Sequence, residues 1–317
     1  MKRILSPLLL LLTAVIWGFA FVAQKSADTV PAFTMTAFRS GIAAVFLLVV
    51  MPLLDRVRHT DRHMFLRTET GRLRPDMTKK EWLGGAVCGV VLFVATSVQQ
   101  YGIMIGSDAG KSAFISALYV VHVPILGLFL GRRPPAKIWA SVALAVVGFY
   151  FLCVSASFGV NPDDLFVLLS SLAFAAHVLV IGRFSPFCDG VRMSCVQFVV
   201  SFILSAACML LFESFPTASL ISENLLEILF VGIGSSGIAY TCQILGQKNT
   251  PPAVASVILS LESVFGAIGA ALVLHETMTP RETFGCVIVF LAVFLAQFDF
   301  VGLICRLRHR AAETPDK

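Results

Sequence analysis

Ten stretches of roughly 20 mostly apolar residues, each the length that carries an α-helix across about 30 Å of hydrocarbon, divide this 317-residue chain. They run over residues 7–25, 32–54, 82–105, 111–130, 138–156, 165–181, 191–212, 225–245, 253–274 and 284–304. Short polar or proline-bearing segments separate them, among them Arg132-Arg133-Pro134-Pro135, Asn161-Pro162-Asp163-Asp164 and Thr250-Pro251-Pro252. Each reads as a turn between antiparallel helices. A water-soluble domain has too little interior to hide this pattern: 57% of the residues are hydrophobic and 14% charged, against about 45–50% hydrophobic in soluble domains, and the mean hydropathy is +0.86. The expected fold is an all-α membrane protein of ten transmembrane helices.

The basic residues test that count independently, because cytoplasmic loops collect Lys and Arg. With ten spans and both termini in the cytoplasm of a cell that holds the chain in its cell membrane, twenty of the 24 Lys and Arg fall on the inner side, eight of them between Asp55 and Glu81. Lys25, Lys111 and Arg281 fall on the other side, and Arg39 lies within the second span. The net charge of +5 therefore has a topological reading and calls for no nucleic-acid partner. Lys2-Arg3 before a leucine run resembles a signal peptide, but the apolar stretch continues past Trp17 with no clean small-residue cleavage site. The eight cysteines stand singly, without CxxC pairs or histidines at metal spacing. Packing is their simplest role, and no metal or cofactor is expected.

Self-comparison reveals an internal repeat. At a constant offset of 144, Gln99 meets Gln243, Gly102 meets Gly246, Ala109 meets Ala253, Ser112 meets Ser256 and Ser116 meets Ser260. The fourth span thus corresponds to the ninth, and the chain divides into a five-span half over 1–156, with an inserted cytoplasmic loop at 55–81, and a second five-span half over 157–317 with a basic tail. Five is odd, so the second half must enter the membrane from the opposite side. Two inverted five-helix repeats about an axis in the membrane plane form the architecture in which a midplane site opens to each side in turn.

Several stretches strengthen this: Trp17-Gly-Phe-Ala-Phe-Val-Ala-Gln-Lys25, Phe38-Arg39, Ser97-Val-Gln-Gln-Tyr-Gly102, Ala109 to Tyr119 leading to Pro124, Ser236-Gly-Ile-Ala-Tyr240, Gln247 to Pro252 and Ser260-Leu-Glu-Ser-Val-Phe265. In their order along two repeats the chain resembles the drug/metabolite transporter superfamily, specifically the EamA-type permeases, over nearly its whole length. The resemblance implies a cavity between the halves lined mainly by spans 1, 3, 4, 6, 8 and 9, and the movement of amino acids, nucleosides or other small metabolites. The chain departs from many relatives in having Glu262-Ser263 where they have Glu-Pro, so a proline kink is not assured there.

Ionisable groups at membrane depth are costly and are functional candidates for that reason. Glu262 stands about ten residues into the ninth span, hence ~15 Å deep. Its carboxyl can bind a proton or a cationic solute, or hydrogen-bond a neighbouring helix as structural glue. Arg39 can snorkel to the interface or pair with an acid or a solute carboxylate. His177, and less so His122, can relay protons or simply pack. A solute pocket is expected from Trp17 and Phe21 on span 1, Gln99 and Gln100 on span 3, Ser112, Ser116 and Tyr119 on span 4, Tyr240 and Gln243 on span 8, and Ser256 and Ser260 on span 9. The trio on span 4 shares one helix face, as does the serine pair on span 9, although close packing through small side chains explains the serines as well. Pro124 frees a backbone carbonyl and allows a bend.

Gly234-Ser235-Ser236-Gly237 also fits the Gly-x-Ser-Gly pattern of rhomboid proteases, with Ser236 as nucleophile, but no histidine is suitably placed in sequence and ten duplicated spans are the wrong architecture. A channel would need a ring of charges or a filter sequence, and neither occurs. The expectation is a transporter rather than an enzyme, working by alternating access on a small-molecule solute, with protons as a candidate coupling ion, as a monomer or homodimer.

Overall fold

The computed structural model describes residues 2–57, 65–67, 73–105, 115–153, 162–273 and 278–297. The helices are α1 (Lys2–Ser26), α2 (Ala32–Val57), α3 (Lys79–Met104), α4 (Tyr119–Phe129), α5 (Ala136–Cys153), α6 (Pro162–Phe184) and α7 (Gly190–Phe212). After a short helix at Ala218–Glu223 come α8 (Leu225–Gln247), α9 (Pro252–Val273) and α10 (Pro280–Gln297). Eight are long and apolar enough to cross a membrane, while α4, which with its entry turn covers Ile115–Phe129, and α5 are shorter apolar helices. The exception to helix among the described residues is an antiparallel pair, β1 (Phe65–Arg67) and β2 (Leu73–Pro75), with Leu66 opposite Arg74. It lies in the 55–81 insertion, whose charge density excludes a span and where cross-strand pairing satisfies the backbone.

The burial pattern differs from that of a soluble protein. Phe129, Leu211, Phe215 and Leu226 are each more than 70% exposed, whereas Gln24, Arg39, Gln99, Gln100, Gln197 and Glu262 are buried. Large apolar side chains lie on the outer surface, and these polar ones are enclosed with the apolar core.

The packing follows the repeat. α3 packs on α6 as α1 packs on α8, α3 on α7 as α8 on α2, and α4 on α6 as α9 on α1. α2 packs on α3 as α7 packs on α8, and the contacts of α2 with α7, α5 with α10 and α4 with α9 join elements that are each other's counterparts. Gly148 and Gly285 let α5 and α10 meet backbone to backbone: a Cβ on Gly285 would lie 2.6 Å from Leu152 N and 2.7 Å from Gly148 O, and backbone cannot yield as a side chain does. Gly285→Ala is expected to destabilise the protein by about 1–3 kcal/mol, the range for overpacking. A lower melting temperature of the detergent-purified variant checks it.

Two inter-half contacts at the opposite ends of the α2–α7 pair are related in the same way. At one end, expected to be cytoplasmic, Arg192 donates Nη1–H and Nη2–H to the Asp55 carboxylate (3.1 and 2.7 Å) and Nε–H to Asp76 O (3.3 Å). At the other, the Glu213 carboxylate accepts from Phe33 N (2.8 Å), Thr34 N (2.7 Å) and Thr34 Oγ1 (2.7 Å), capping the start of α2. Thr34 and Arg192 stand 158 residues apart, and so do Asp55 and Glu213. The offset exceeds 144 by the extra length of the 55–81 loop. Each half therefore ends its second helix with an acid that grips the start of the other half's second helix.

Candidate functional site

The two helices expected to hold the site are both interrupted. α4 is entered through a turn at Leu118, where Leu118 N bonds Ile115 O at 3.2 Å, a three-residue spacing. α9 breaks at Ser260 and Leu261: Leu261 N bonds Ile258 O (3.2 Å) and Ser263 N bonds Ser260 O (3.3 Å). No proline produces this second break. Ser256 Oγ donates to Ala253 O (3.0 Å) and Ser260 Oγ to Val257 O (2.8 Å), hydroxyls bonding back to carbonyls of their own helix, which loosens and bends a helix. Under the 144-residue offset the breaks fall within a turn of each other. Pro124, inside α4, deprives the Val120 carbonyl of its usual donor.

At these breaks a cavity of about 40 Å³ opens among α1, α2, α3, α4, α6, α8 and α9. Its lining comprises Trp17, Ala20, Phe21 and Gln24 from α1, Arg39 from α2, Gln99 from α3, Ser116 and Tyr119 at the entry of α4, Phe174 from α6, Ser235 and Tyr240 from α8, and Glu262 from α9. Trp17, Phe21, Arg39, Gln99, Ser116, Tyr119, Tyr240 and Glu262 are sequence candidates brought together here. The remaining candidates lie elsewhere. His177 stands behind Tyr240, ring centroids 5.7 Å apart, with Nε2 at 3.0 Å from Gln197 Oε1. Gln100 and Gln243 are buried away from the lining, Ser256 and Ser260 bond back to their own helix, and Ser112 lies outside the described residues. Gln24 went unnoticed, although Trp17, Phe21 and Gln24 follow the i, i+4, i+7 spacing of one helix face. Phe174 and Ser235 carried no such signal.

The polar groups are held by neighbours from distant parts of the chain. Gln99 Nε2 donates to Ser116 Oγ (3.0 Å). Arg39 donates Nε–H to Ser236 Oγ (3.0 Å), Nη2–H to Ser235 Oγ (3.2 Å) and Nη1–H to Gln24 Oε1 (3.3 Å). That two successive residues of α8 reach one guanidinium follows from local backbone: Phe230–Ala239 is wound as a π-helix, a wider and rarer form that concentrates at functional sites. The same segment presents Ser235 O to Trp17 Nε1 (3.3 Å), and Trp17 stacks tilted on Tyr240 at 4.6 Å between centroids. The Tyr119 hydroxyl is buried beside the Glu262 carboxyl. Ser236, the nucleophile of the protease reading, accepts from a guanidinium, which cannot act as its base.

The sequence profile of the EamA-like transporter family matches this chain twice, over residues 4–154 and 162–298. The chain belongs to that family. EamA-like transporters are multi-pass membrane proteins, and the two matches cover the two sets of helices that line the cavity. An uncharacterized transporter of Archaeoglobus fulgidus is 30% identical over 298 residues, covering 93% of this chain and 86% of that protein. The uncharacterized transporter YoaV of Bacillus subtilis is 20% identical over 292 residues, covering 90% and 94%. A crystal structure with a TM-score of 0.72 covers 92% of this chain and 98% of its own at 19% identity, a likeness of fold.

Proposed function

We propose that this EamA-like transporter carries a small organic solute across the cell membrane by alternating access. In this reading ten spans form two inverted halves, 1–156 and 157–317, with both termini cytoplasmic, the cavity is the solute site and Glu262 is a coupling or binding group. The observation that carries the reading is a small cavity between repeat-related broken helices, lined by aromatic side chains and by Gln24, Arg39, Gln99, Ser116, Ser235 and Glu262. At about 40 Å³ it holds a few waters at roughly 10–15 Å³ each, far below the ~300–1,000 Å³ of small-molecule sites. A solute enters only when helices separate. Apolar packing lies on both sides of it: Val120, Val123, Val257 and Ile258 where α4 meets α9, and Ala27, Val30, Met35 and Ile228 where α1, α2 and α8 meet.

A second observation supports two exchanging states. The Gln99–Ser116 bond has a repeat counterpart in Gln243 and Ser260, 144 residues on, yet Ser260 bonds its own helix and Gln243 Oε1 is buried without a partner. The halves thus differ at this repeat-related pair, a difference that supports exchange between them. The test is flux in liposomes, using the metabolite that most raises the melting temperature of the purified protein. Uptake is expected to saturate and to accelerate several-fold when the same solute is loaded on the far side. Unsaturable flux without such acceleration would overturn alternating access.

A further inference from the structure

Resting on the transport reading above, we infer that the solute bears an oxyanion, a carboxylate or a phosphate, which docks on Arg39. Among the described residues two arginines are buried, and they are treated in opposite ways. Arg192, 2% exposed, is neutralised by a two-pronged bond to Asp55. Arg39, 5% exposed and lining the central cavity, donates to three oxygens that are all neutral: two serine hydroxyls and the Gln24 amide. Glu262 lines the same cavity, and no ion pair joins it to Arg39.

A buried cation without a counter-charge is expensive, and natural proteins retain such an arrangement where function uses it. The surroundings serve to hold the guanidinium in place rather than to neutralise it. Gln24 is itself fixed by its Nε2 bond to Ala20 O (3.1 Å), which leaves Oε1 for Arg39, and the π-helical stretch of α8 supplies both serines. Of the five N–H groups of the planar fork, these partners use three. The remaining donors suit a planar carboxylate or a phosphate, the groups for which guanidinium geometry is selective.

Tyr119 also brings a buried hydroxyl to the same cavity, beside Glu262. The other walls, Trp17, Phe21, Phe174 and Tyr240, are aromatic and fit an apolar or aromatic body behind the acid group.

Isothermal titration and thermal melting of the purified full-length protein test this with four probes of one shape: 3-phenylpropanoate, 2-phenylethyl phosphate, 3-phenylpropanamide and 2-phenylethylammonium. At least one anion is expected to bind tenfold or more tightly than both the amide and the cation, and the stronger of the two identifies the acid group. Arg39→Gln is expected to remove that preference, and Arg39→Lys to keep part of it. The comparison of acid with amide on the unaltered protein needs no variant, so a misfolded Arg39→Gln leaves the test intact. Equal binding of acid and amide, preference for the cation, binding of none of the four, or an undiminished preference in folded Arg39→Gln each overturns the anion assignment. Saturable, trans-accelerated flux of a neutral or cationic solute would sink this assignment alone and leave the transport reading standing.

Discussion

Asp55→Asn is expected to destabilise the protein by about 3–5 kcal/mol, the cost of removing one partner of a buried ion pair. Arg192 is 2% exposed and donates two of its hydrogen bonds to that carboxylate, the shorter at 2.7 Å. With Asn in its place the guanidinium retains the Asp76 carbonyl but loses its counter-charge. Reduced yield and a melting temperature lowered well beyond that of Gly285→Ala check it, and Asp55→Asn combined with Arg192→Gln is expected to recover part of the loss. Glu213→Gln, at the repeat-related contact, should cost less, about 0.5–2 kcal/mol, in the range of a lost helix cap, because it strands two backbone N–H groups and a hydroxyl rather than a charge. Equal, small effects of Asp55→Asn and an exposed-site control would show that water reaches Arg192.

The largest expected functional effect comes from Glu262→Gln. Gln has nearly the shape of Glu and cannot exchange a proton, so a coupling carboxyl and a merely structural one respond differently. Accumulation of solute driven by a pH gradient across liposomes is expected to fall at least tenfold, and the pH dependence of flux to flatten, while exchange of solute for solute continues. Glu262 is 5% exposed and sits at the first residue after the break in α9, so the substitution leaves the neighbouring helix bonds in place. Flux and pH dependence both unchanged would remove Glu262 from the coupling mechanism and leave it a packing group.

Much of the site was legible from the chain because its signals are local. Trp17 and Phe21 fall one turn apart, Ser116 and Tyr119 share a helix face, and Glu262 stands out as a carboxyl deep in an apolar span. Legibility failed where a side chain's role depends on a partner far along the chain. Arg39 could equally have snorkelled or paired with an acid, and only packing against α8, 196 and 197 residues away in sequence, gives it two serine hydroxyls instead. His177 looked like a relay candidate, yet Gln197 and Tyr240 enclose it away from the cavity. The serines of α9 share a face as expected, but Ser256 and Ser260 spend their hydroxyls on their own backbone beside the break in that helix.

The repeat shows the same division. Self-comparison finds the 144-residue offset because spans 3, 4, 8 and 9 keep small and amide side chains in matching order. It misses the 158-residue offset of the α2–α7 pair, since Thr34 and Arg192 share no chemistry and the acids Asp55 and Glu213 are a single isolated match. By itself the sequence determined that the chain lives in lipid, that it is duplicated, and which spans carry polar groups at depth, because run length, composition and periodicity depend only on neighbours along the chain. Tertiary structure alone decided which polar groups meet, which arginine is neutralised, and how small the enclosed cavity is in this state, because a buried charge finds its partner through the packing of helices that the linear order leaves free.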